Sequence, residues 1–166
     1  GGGLVRLRGG RFQSYGLEAG LTNDQVSALL EDRDGNLWVG TRGGGLHRRR
    51  GDRLVPFTTR DGLPNDTIRS LLEDREGNLW VGTYGGGLSR FADGAVVTFT
   101  AAEGLPDDLV WPILEDRGGD LWIGTWKGLS RRRGDTFETF TTAEGLPSDS
   151  IFALAEGRDG ALWIGT

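Results

Sequence analysis

Residues 36–41 read Asn-Leu-Trp-Val-Gly-Thr. Closely similar hexapeptides return at 78–83, 120–125 and 161–166, in steps of 42, 42 and 41 residues. A Gly-Leu-Pro or Gly-Leu-Thr turn keeps the same interval, beginning at Gly20, Gly62, Gly104 and Gly145. Internal repeats with a period of roughly 20–50 residues are the signature of solenoids and propellers. The fold therefore depends on what one such unit forms.

Glycine is unusually abundant, at 30 of 166 residues against a usual share of about 7%. Taken alone, this excess indicates either disorder or many tight turns. Most of the glycines recur at the same places in each unit: the Asp-Gly hairpin, the Trp-x-Gly-Thr strand, the Gly-Gly-Gly turn and the Gly-Leu-Pro loop. The repeat and the six Trp therefore favour a folded chain with many turns.

Each unit reads as four short strands separated by turn signals. In the first complete unit the strands are residues 26–31, 37–41, 46–50 and 54–58. The segment 26–31 is mostly apolar, as expected of a strand that is buried on both faces. Asp34-Gly35 is a hairpin signal, and Pro56 indicates an edge strand because proline cannot donate to a ladder. Four antiparallel strands in about 42 residues predict an all-β chain of β-propeller blades.

The chain does not begin and end where a blade begins and ends. We predict one propeller segment over 1–166, divided into units of about 1–22, 23–64, 65–106, 107–147 and 148–166. Gly1 to Leu4 align with Gly43 to Leu46, so the first unit holds strands three and four, and the last holds strands one and two. Together these two partial units would complete one blade. We expect either a homodimer that closes an eight-bladed ring or a piece of a longer propeller, and a four-bladed monomer is the remaining alternative.

Composition excludes several classes of function. Without Cys, the chain can form no disulfide framework, thiol nucleophile or thiolate metal site. No apolar run approaches the roughly 18 residues of a membrane span, and a net charge of −5 argues against a nucleic-acid partner. Strand alternation divides the Arg runs 48–50 and 131–133 between two faces, so we expect a solvated outer strand there. We predict no cofactor, no metal and no membrane contact by this segment.

Residues 31–41, the Gly-Gly-Gly-Leu at 43–46 and the Phe-Thr before Asp-Gly-Leu-Pro at 61–64 resemble the two-component regulator propeller repeat. All four copies carry the pattern, and the last departs most, with Gly157 where the others have the first hairpin Asp. The resemblance implies a sensor domain for signal transduction. It would be the periplasmic or extracellular input of a hybrid histidine kinase or a related protein. Several such propellers are similar to sensors of oligosaccharides.

Positions that keep one residue in every copy are assigned to structure. The repeated Trp residues are assigned to core or inter-blade packing: Trp38, Trp80, Trp122 and Trp163. The glycine two residues after each Trp allows close approach of sheets. The Glu before each hairpin is expected to take part in turn hydrogen bonding rather than acid–base chemistry: Glu31, Glu73, Glu115 and Glu156. The Asp in each inter-blade loop either turns the chain or joins a ring of carboxylates around a cation: Asp24, Asp66, Asp108 and Asp149.

Function is expected where the copies differ, because the fold does not dictate those residues. Early in the first strand the residues are Ser27, Arg69, Trp111 and Phe152. After the second strand they are Arg42, Tyr84 and Trp126, with Lys127 following the last. Aromatic rings stack on sugar C–H faces, and Arg donates to hydroxyl or carboxylate groups. All of these except Ser27 form the predicted ligand-binding set, with Trp111 and Trp126 foremost. The alternative is variable surface and channel packing.

An enzymatic function has little support in the sequence. His47 is the one imidazole, it lies in a third strand, and no Ser occupies a nucleophile elbow. Streptogramin-type lyases are propellers with a similar Gly-x-Leu-Trp strand and use a His, so a lyase is one alternative. A third hypothesis is a repeat fragment, natural or designed, whose main property is self-assembly. We favour a non-enzymatic domain that binds a ligand or a partner.

Overall fold

The computed structural model describes residues 2–92 and 95–166, and its regular structure is β-sheet with a few single 3-10 turns. Gly1, which the sequence analysis placed in a Gly-Gly-Gly turn, lies outside the described residues. In the described part of the chain we find no helix with the length and apolar character of a membrane span.

Three complete blades follow one another, with a two-stranded half blade at each end of the series. The N-terminal half blade pairs Leu4–Arg8 (β1) with Arg11–Tyr15 (β2). Blade I contains Val26–Glu31 (β3), Leu37–Thr41 (β4), Leu46–Arg50 (β5) and Arg53–Phe57 (β6). Blade II contains Ile68–Glu73 (β7), Leu79–Thr83 (β8), Leu88–Ala92 (β9) and Ala95–Phe99 (β10). Blade III contains Val110–Glu115 (β11), Leu121–Thr125 (β12), Gly128–Arg133 (β13) and Thr136–Phe140 (β14). The C-terminal half blade pairs Ala153–Glu156 (β15) with Leu162–Gly165 (β16).

All the paired strands are antiparallel, and each complete blade joins its four strands in chain order. This confirms the predicted fold class of four-stranded propeller blades. Each half blade forms a separate two-stranded sheet in this structure. Pro56 lies in the edge strand β6, opposite His47, as the sequence indicated.

The first strands of successive blades pack against one another, β3 on β7, β7 on β11 and β11 on β15. The glycine in each second strand permits this approach. A Cβ atom on Gly40 would lie 2.6 Å from Ile68 Cγ2, and one on Gly124 would lie 2.7 Å from Ile151 Cγ2. Both distances are shorter than carbon–carbon contacts allow. The predicted role of these glycines in close sheet approach is confirmed.

One carboxylate organises the hairpin between the first two strands of each complete blade. Asp74 accepts hydrogen bonds from the backbone and side-chain amides of Asn78, and from the indole Nε1 of Trp80 at 2.7 Å. The other complete blades repeat the indole bond, from Trp38 to Asp32 and from Trp122 to Asp116. Burial raises the pKa of Asp74, but these hydrogen bonds outweigh burial and hold its pKa below the ordinary value. The hairpin Asp therefore tethers the Trp of its own blade.

In blades II and III and in the C-terminal half blade, the Glu before the hairpin binds the preceding blade, not its own turn. Glu73 accepts the backbone N–H of Arg33 at 2.8 Å and pairs with the Nε of the same guanidinium at 2.9 Å. Arg33 also donates to the carbonyl groups of Asp74 and Arg75. The arrangement recurs between Arg75 and Glu115 and between Arg117 and Glu156. The predicted hydrogen bonding is therefore present, but its partner is the hairpin of the preceding blade.

Each inter-blade loop contains a 3-10 turn that the sequence analysis did not predict. In the loop after blade I, Asp61 accepts the backbone N–H of Thr58, and the Thr58 hydroxyl accepts that of Arg60. This capping box has a sequence signal, Thr-x-x-Asp/Glu, which recurs at 100–103 and 141–144.

The loop Asp residues turn the chain. Asp66 accepts the backbone N–H of Thr59 at 2.7 Å, and Asp108 and Asp149 make the equivalent bond. Asp24 accepts the N–H of Gly2. The turn is therefore present at Asp66, Asp108 and Asp149, whereas Asp24 binds the N-terminal segment. No group of three or more Asp, Glu or His side chains in residues 2–92 and 95–166 is arranged to hold a metal ion.

The four repeated Trp residues differ in burial. Trp80 is 2% exposed, Trp38 and Trp122 are half-buried, and Trp163 on β16 is 68% exposed. The predicted packing role therefore holds in the three complete blades. Trp163 lies on the outer strand of a two-stranded sheet, and its packing role stays a prediction.

The Arg runs of the third strands are less solvated than expected. Arg132, with a side chain only 12% exposed, stacks on Trp80 and Phe99 of the preceding blade at 5.2 and 5.3 Å. Arg48 and Arg131 cover the Trp of their own blade. The expectation of a solvated outer strand is wrong here, because the third strand lies inside the sheet and its long side chains pack over aromatic rings.

Candidate ligand-binding site

A β-bulge lies near the start of each complete first strand. The register shifts between Val26 and Ala28 in β3, between Ile68 and Ser70 in β7, and between Val110 and Ile113 in β11. The bulged positions are therefore Ser27, Arg69 and Trp111-Pro112, where the copies differ in sequence. Bulges bend a strand and re-aim its side chains, and they are frequent beside active sites.

Five of the predicted site residues meet beside these bulges. The Arg69 guanidinium lies 4.9 Å from the ring centroids of both Tyr84 and Trp111. Trp111 packs edge-on against Phe152 at 5.4 Å, and Trp126 lies 6.3 Å from both rings. We call this set, Arg69, Tyr84, Trp111, Trp126 and Phe152, the aromatic cluster. It draws on blades II and III and on the start of the C-terminal half blade.

The aromatic cluster is open to solvent on one side. Tyr84, Trp126 and Phe152 are 44%, 43% and 48% exposed, while Arg69 and Trp111 are half-buried. Two buried donors in it, Arg69 Nε and Trp111 Nε1, have no hydrogen-bond partner within the described residues. Buried polar groups are nearly always hydrogen-bonded in native proteins, so these two enclosed donors are exceptions.

The other two predicted site residues lie beside the aromatic cluster. Lys127 Nζ pairs with Asp107 Oδ2 at 2.9 Å, with its own side chain 74% exposed. Arg42 is exposed, and its backbone N–H donates to the Gln25 carbonyl. In blade I the bulged Ser27 donates to the carbonyl of Ile68 at 2.6 Å. The hydroxyl at the bulge of blade I is therefore hydrogen-bonded within the protein.

Sequence reasoning did not identify the bulges or the stacking of Arg69. A partial signal was present at Trp111-Pro112, because a proline inside a first strand cannot donate to the ladder and indicates an irregularity. Asp107, 8% exposed and paired with Lys127, was also missed. Asp107 directly precedes the loop Asp, and no sequence pattern marked it as a functional residue.

His47 lies in the interior. It is 0% exposed, its Nε2 accepts the backbone N–H of Thr22 at 3.1 Å, and its Nδ1 faces the Val39 carbonyl at 3.3 Å. These contacts suit the neutral imidazole with the proton on Nδ1. Burial lowers the pKa of His47, while the hydrogen bond to Val39 opposes that shift. His47 thus joins β5 to the loop that precedes blade I.

Fold and site together define a class: a β-propeller segment with a partly exposed cluster of aromatic rings and one guanidinium at the bulge end of its blades. A model of the family described as two component regulator propeller matches residues 20–43, 62–85, 104–127 and 145–166. These matches cover more than half of the chain. The chain belongs to the two-component regulator propeller family, as the resemblance of its repeats implied.

Two solved structures with the same fold are extracellular domains several times longer than this chain. The extracellular domain of the hybrid two-component system BT3049 from B. thetaiotaomicron is 27% identical, with a TM-score of 0.83 over 92% of this chain and 22% of that one. For the corresponding domain of BT4673 from the same organism the identity is 18%, with a TM-score of 0.80 over 99% and 26% of the two chains. This chain thus spans about a quarter of these relatives.

A third likeness is to an enzyme. Virginiamycin B lyase from Staphylococcus aureus is 17% identical, with a TM-score of 0.71 over 94% of this chain and 53% of that one. At this identity the likeness shows the propeller fold alone. We found no match to the sequence among curated proteins.

Proposed function

We propose that this chain is a non-enzymatic recognition domain of a two-component sensor that binds an oligosaccharide at the aromatic cluster. The observation that carries the proposal is the guanidinium of Arg69, stacked between Tyr84 and Trp111 and bordered by two further exposed rings. The proposed location is periplasmic or extracellular, in keeping with the extracellular domains that it resembles.

The chemistry of the aromatic cluster suits a sugar. Flat aromatic faces cover the apolar C–H face of a pyranose ring, and a guanidinium donates several hydrogen bonds in one plane. Stacking of Arg69 orients that plane and leaves N–H groups at its edge for a hydroxyl or carboxylate. No ion pair involves Arg69 among the residues that the structure describes, so its charge is available to a ligand.

A catalytic role for His47 is disfavoured by its surroundings. The imidazole is fully buried and hydrogen-bonded at Nε2, so a substrate cannot reach it without local unfolding. A general base must lie within hydrogen-bond reach of the proton that it abstracts. The proposal therefore favours recognition over a streptogramin-lyase type of activity.

The test is a glycan-array screen with the 166-residue protein, followed by titration of each hit by calorimetry. We expect Arg69→Ala to lower the affinity at least about 10-fold, and the double variant Trp111→Ala/Trp126→Ala to abolish binding. Arg60→Ala is the matched control, because Arg60 is an exposed Arg in a loop 3-10 turn. Full affinity in the double variant, with an unchanged melting temperature, would refute the site.

A further inference from the structure

The spaces between neighbouring blades differ in volume at the hairpin end. Between blades I and II there is a cavity of about 370 Å³, whereas the equivalent space between blades II and III is about 110 Å³. The residues that line the larger cavity include Asp32, Asp34, Trp38, Glu73, Gly77 and Leu79. Their counterparts 42 positions further on line the smaller one. Because these positions are shared, other residues account for the difference in volume.

Two side chains of blade III close the interface between blades II and III. Arg132 of β13, with a side chain 12% exposed, stacks on Trp80 and Phe99 of blade II at 5.2 and 5.3 Å. Phe137 of β14 packs edge-on against Phe99, with ring centroids 5.6 Å apart. One guanidinium and one aromatic ring therefore cover the rings of the preceding blade.

Blade II has other residues at these two positions. Phe91 of β9 stands at the position of Arg132, and its strand partner Val96 stands at the position of Phe137. Phe91 packs edge-on against Phe57 of blade I at 5.6 Å, which is the ring contact that Phe137 makes one blade further on. Blade II therefore retains the ring contact, but the Arg132 guanidinium has no counterpart at its position in the repeat.

The carboxylates of the larger cavity favour a cation. Three of them border it: Asp32, Asp34 and Glu73. The third is already paired with Arg33. The first two occupy the positions of Asp74 and Glu76, which share the smaller space with Arg132. In this protein the same two positions thus already accompany a largely buried guanidinium.

Arg48 also borders the larger cavity, but its charge does not exclude a second cation. Its guanidinium lies 5.5 Å from the Trp38 ring of its own blade. In blade II the equivalent Arg90 lies 5.8 Å from Trp80, and Arg132 stacks on the same indole at 5.2 Å. One indole therefore accommodates two guanidinium groups, one from its own blade and one from outside it.

The aromatic rings of the larger cavity are accessible. Trp38 is half-buried and Phe57 is 36% exposed, whereas Trp80, at the Trp38 position of blade II, is 2% exposed. Guanidinium groups stack on aromatic faces and are attracted to them electrostatically. The volume of about 370 Å³ lies within the range of about 300–1,000 Å³ found for small-molecule sites.

We propose that the cavity between blades I and II binds a guanidinium group carried on an alkyl chain. The guanidinium takes the place that Arg132 holds one blade further on and stacks on Trp38 and Phe57. Asp32 and Asp34 supply the opposite charge, and the apolar wall of β9 and β10 accommodates the alkyl chain. Free small molecules and the Arg side chains of polypeptides both carry this group, and the experiments below distinguish them.

The first test is an NMR titration of the isotope-labelled 166-residue protein with butylguanidinium chloride, followed through the indole N–H signals. We expect saturable shifts of the Trp38 signal, with a dissociation constant on the order of 1 mM. The Trp80 signal is the internal control, because Arg132 already covers that indole. Butylurea, which has the same shape without the charge, should shift neither signal. Equal shifts of the two signals, or an equal response to butylurea, overturn the proposal.

The second test compares butylguanidinium with the blocked peptide acetyl-Gly-Arg-Gly-amide in the same titration. Peptide binding at least about 10-fold tighter would assign the cavity to Arg side chains of a polypeptide, because groups beyond the guanidinium then add affinity. Equal or weaker peptide binding would assign it to free small molecules. Either result supports the guanidinium site, and the absence of saturable binding by both compounds overturns it.

Substitutions test the cavity itself. Phe91→Arg/Val96→Phe places the blade III pair in blade II, so that the chain's own guanidinium fills the space. We expect loss of butylguanidinium binding and a melting temperature higher by about 3 °C. Asp34→Asn should weaken binding about 5-fold. The matched control is Glu76→Gln, which removes the same charge beside the space that Arg132 already occupies, and it should leave binding unchanged.

Two outcomes contradict the proposal. One is undiminished binding in the double variant, with a circular dichroism spectrum that shows it folded. The other is an equal loss of affinity in Asp34→Asn and Glu76→Gln, which remains decisive if the double variant does not fold.

Discussion

The hairpin end and the bulge end of each blade share one backbone pattern but differ in the roles of their side chains. At the hairpin end the three complete blades carry the same Asp, Trp, Arg and Glu, and these side chains bind one another or the next blade. At the bulge end the residues differ from blade to blade, aromatic rings are exposed, and two buried donors have no partner within the described residues. The difference teaches that repeated residues assemble the propeller, while the residues that vary are left available to a ligand.

The largest expected effect comes from breaking the hairpin tether. Asp74→Ala leaves the Trp80 indole and the Asn78 amides without their acceptor in a buried setting. We expect a loss of about 3 kcal/mol in the free energy of unfolding, measured by urea denaturation. Asp34→Ala, at an exposed position of the blade I hairpin, should cost less than about 0.5 kcal/mol. Similar midpoints for the two variants would mean that the tether is dispensable.

The next effect comes from separating neighbouring first strands. A Cβ on Gly82 would lie 2.7 Å from Val110 Cγ1 of blade III. Gly82→Ala should therefore cost about 2 kcal/mol through overpacking, read from the same denaturation curves. Gly124→Ala tests the same approach one blade further on, and a wild-type midpoint in both variants would show that the blades can move apart without cost.

A smaller effect, dependent on pH, is expected at His47. Because its pKa is lowered in the folded chain, the unfolded chain takes up a proton at a higher pH than the folded one. The stability that the neutral imidazole contributes is fully present above about pH 6.5 and is lost as the pH falls below that value. Melting temperatures between pH 7.5 and 5 should fall in the wild type.

The repeat supplies the control for His47. Ser89 and Ser130 occupy the same position in blades II and III, so His47→Ser should fold and show a flatter pH dependence. An unchanged slope in that variant would assign the acid sensitivity to other groups.

The sequence was most informative where a residue is repeated. The period, four strands per unit, and the Gly in each second strand all follow from local rules, and the structure confirms them. The partner of each Glu could not be predicted, because the Arg of the preceding blade lies about 40 residues away in the chain. The solvation of the Arg runs was misjudged for the same reason: Arg132 stacks on rings of another blade.

The candidate site was partly predictable. Sequence differences between copies selected seven residues, and five of them form the aromatic cluster. Position within the repeat could not reveal that Arg69 lies between two rings, because the register shift of each bulge is set by contacts between strands. Arg42 and Lys127 were predicted as ligand-binding residues from their position in the repeat alone. Both lie beside the aromatic cluster without being part of it.

The smallest effect on stability is expected at the bulge end, and it gives the sharpest comparison. Trp126 is 43% exposed, and its ring centroid lies 6.3 Å from those of Trp111 and Phe152. Trp126→Ala should change the free energy of unfolding by less than about 0.5 kcal/mol, yet lower the affinity for a glycan hit about 10-fold, because a stacked aromatic face contributes on the order of 1 kcal/mol. Trp38→Ala, at the hairpin end, should show the reverse: a loss of about 3 kcal/mol in stability with unchanged affinity. Equal losses of stability in the two variants would mean that the bulge end also packs the propeller together. A surface can vary from blade to blade to suit a ligand only where the fold does not need its residues.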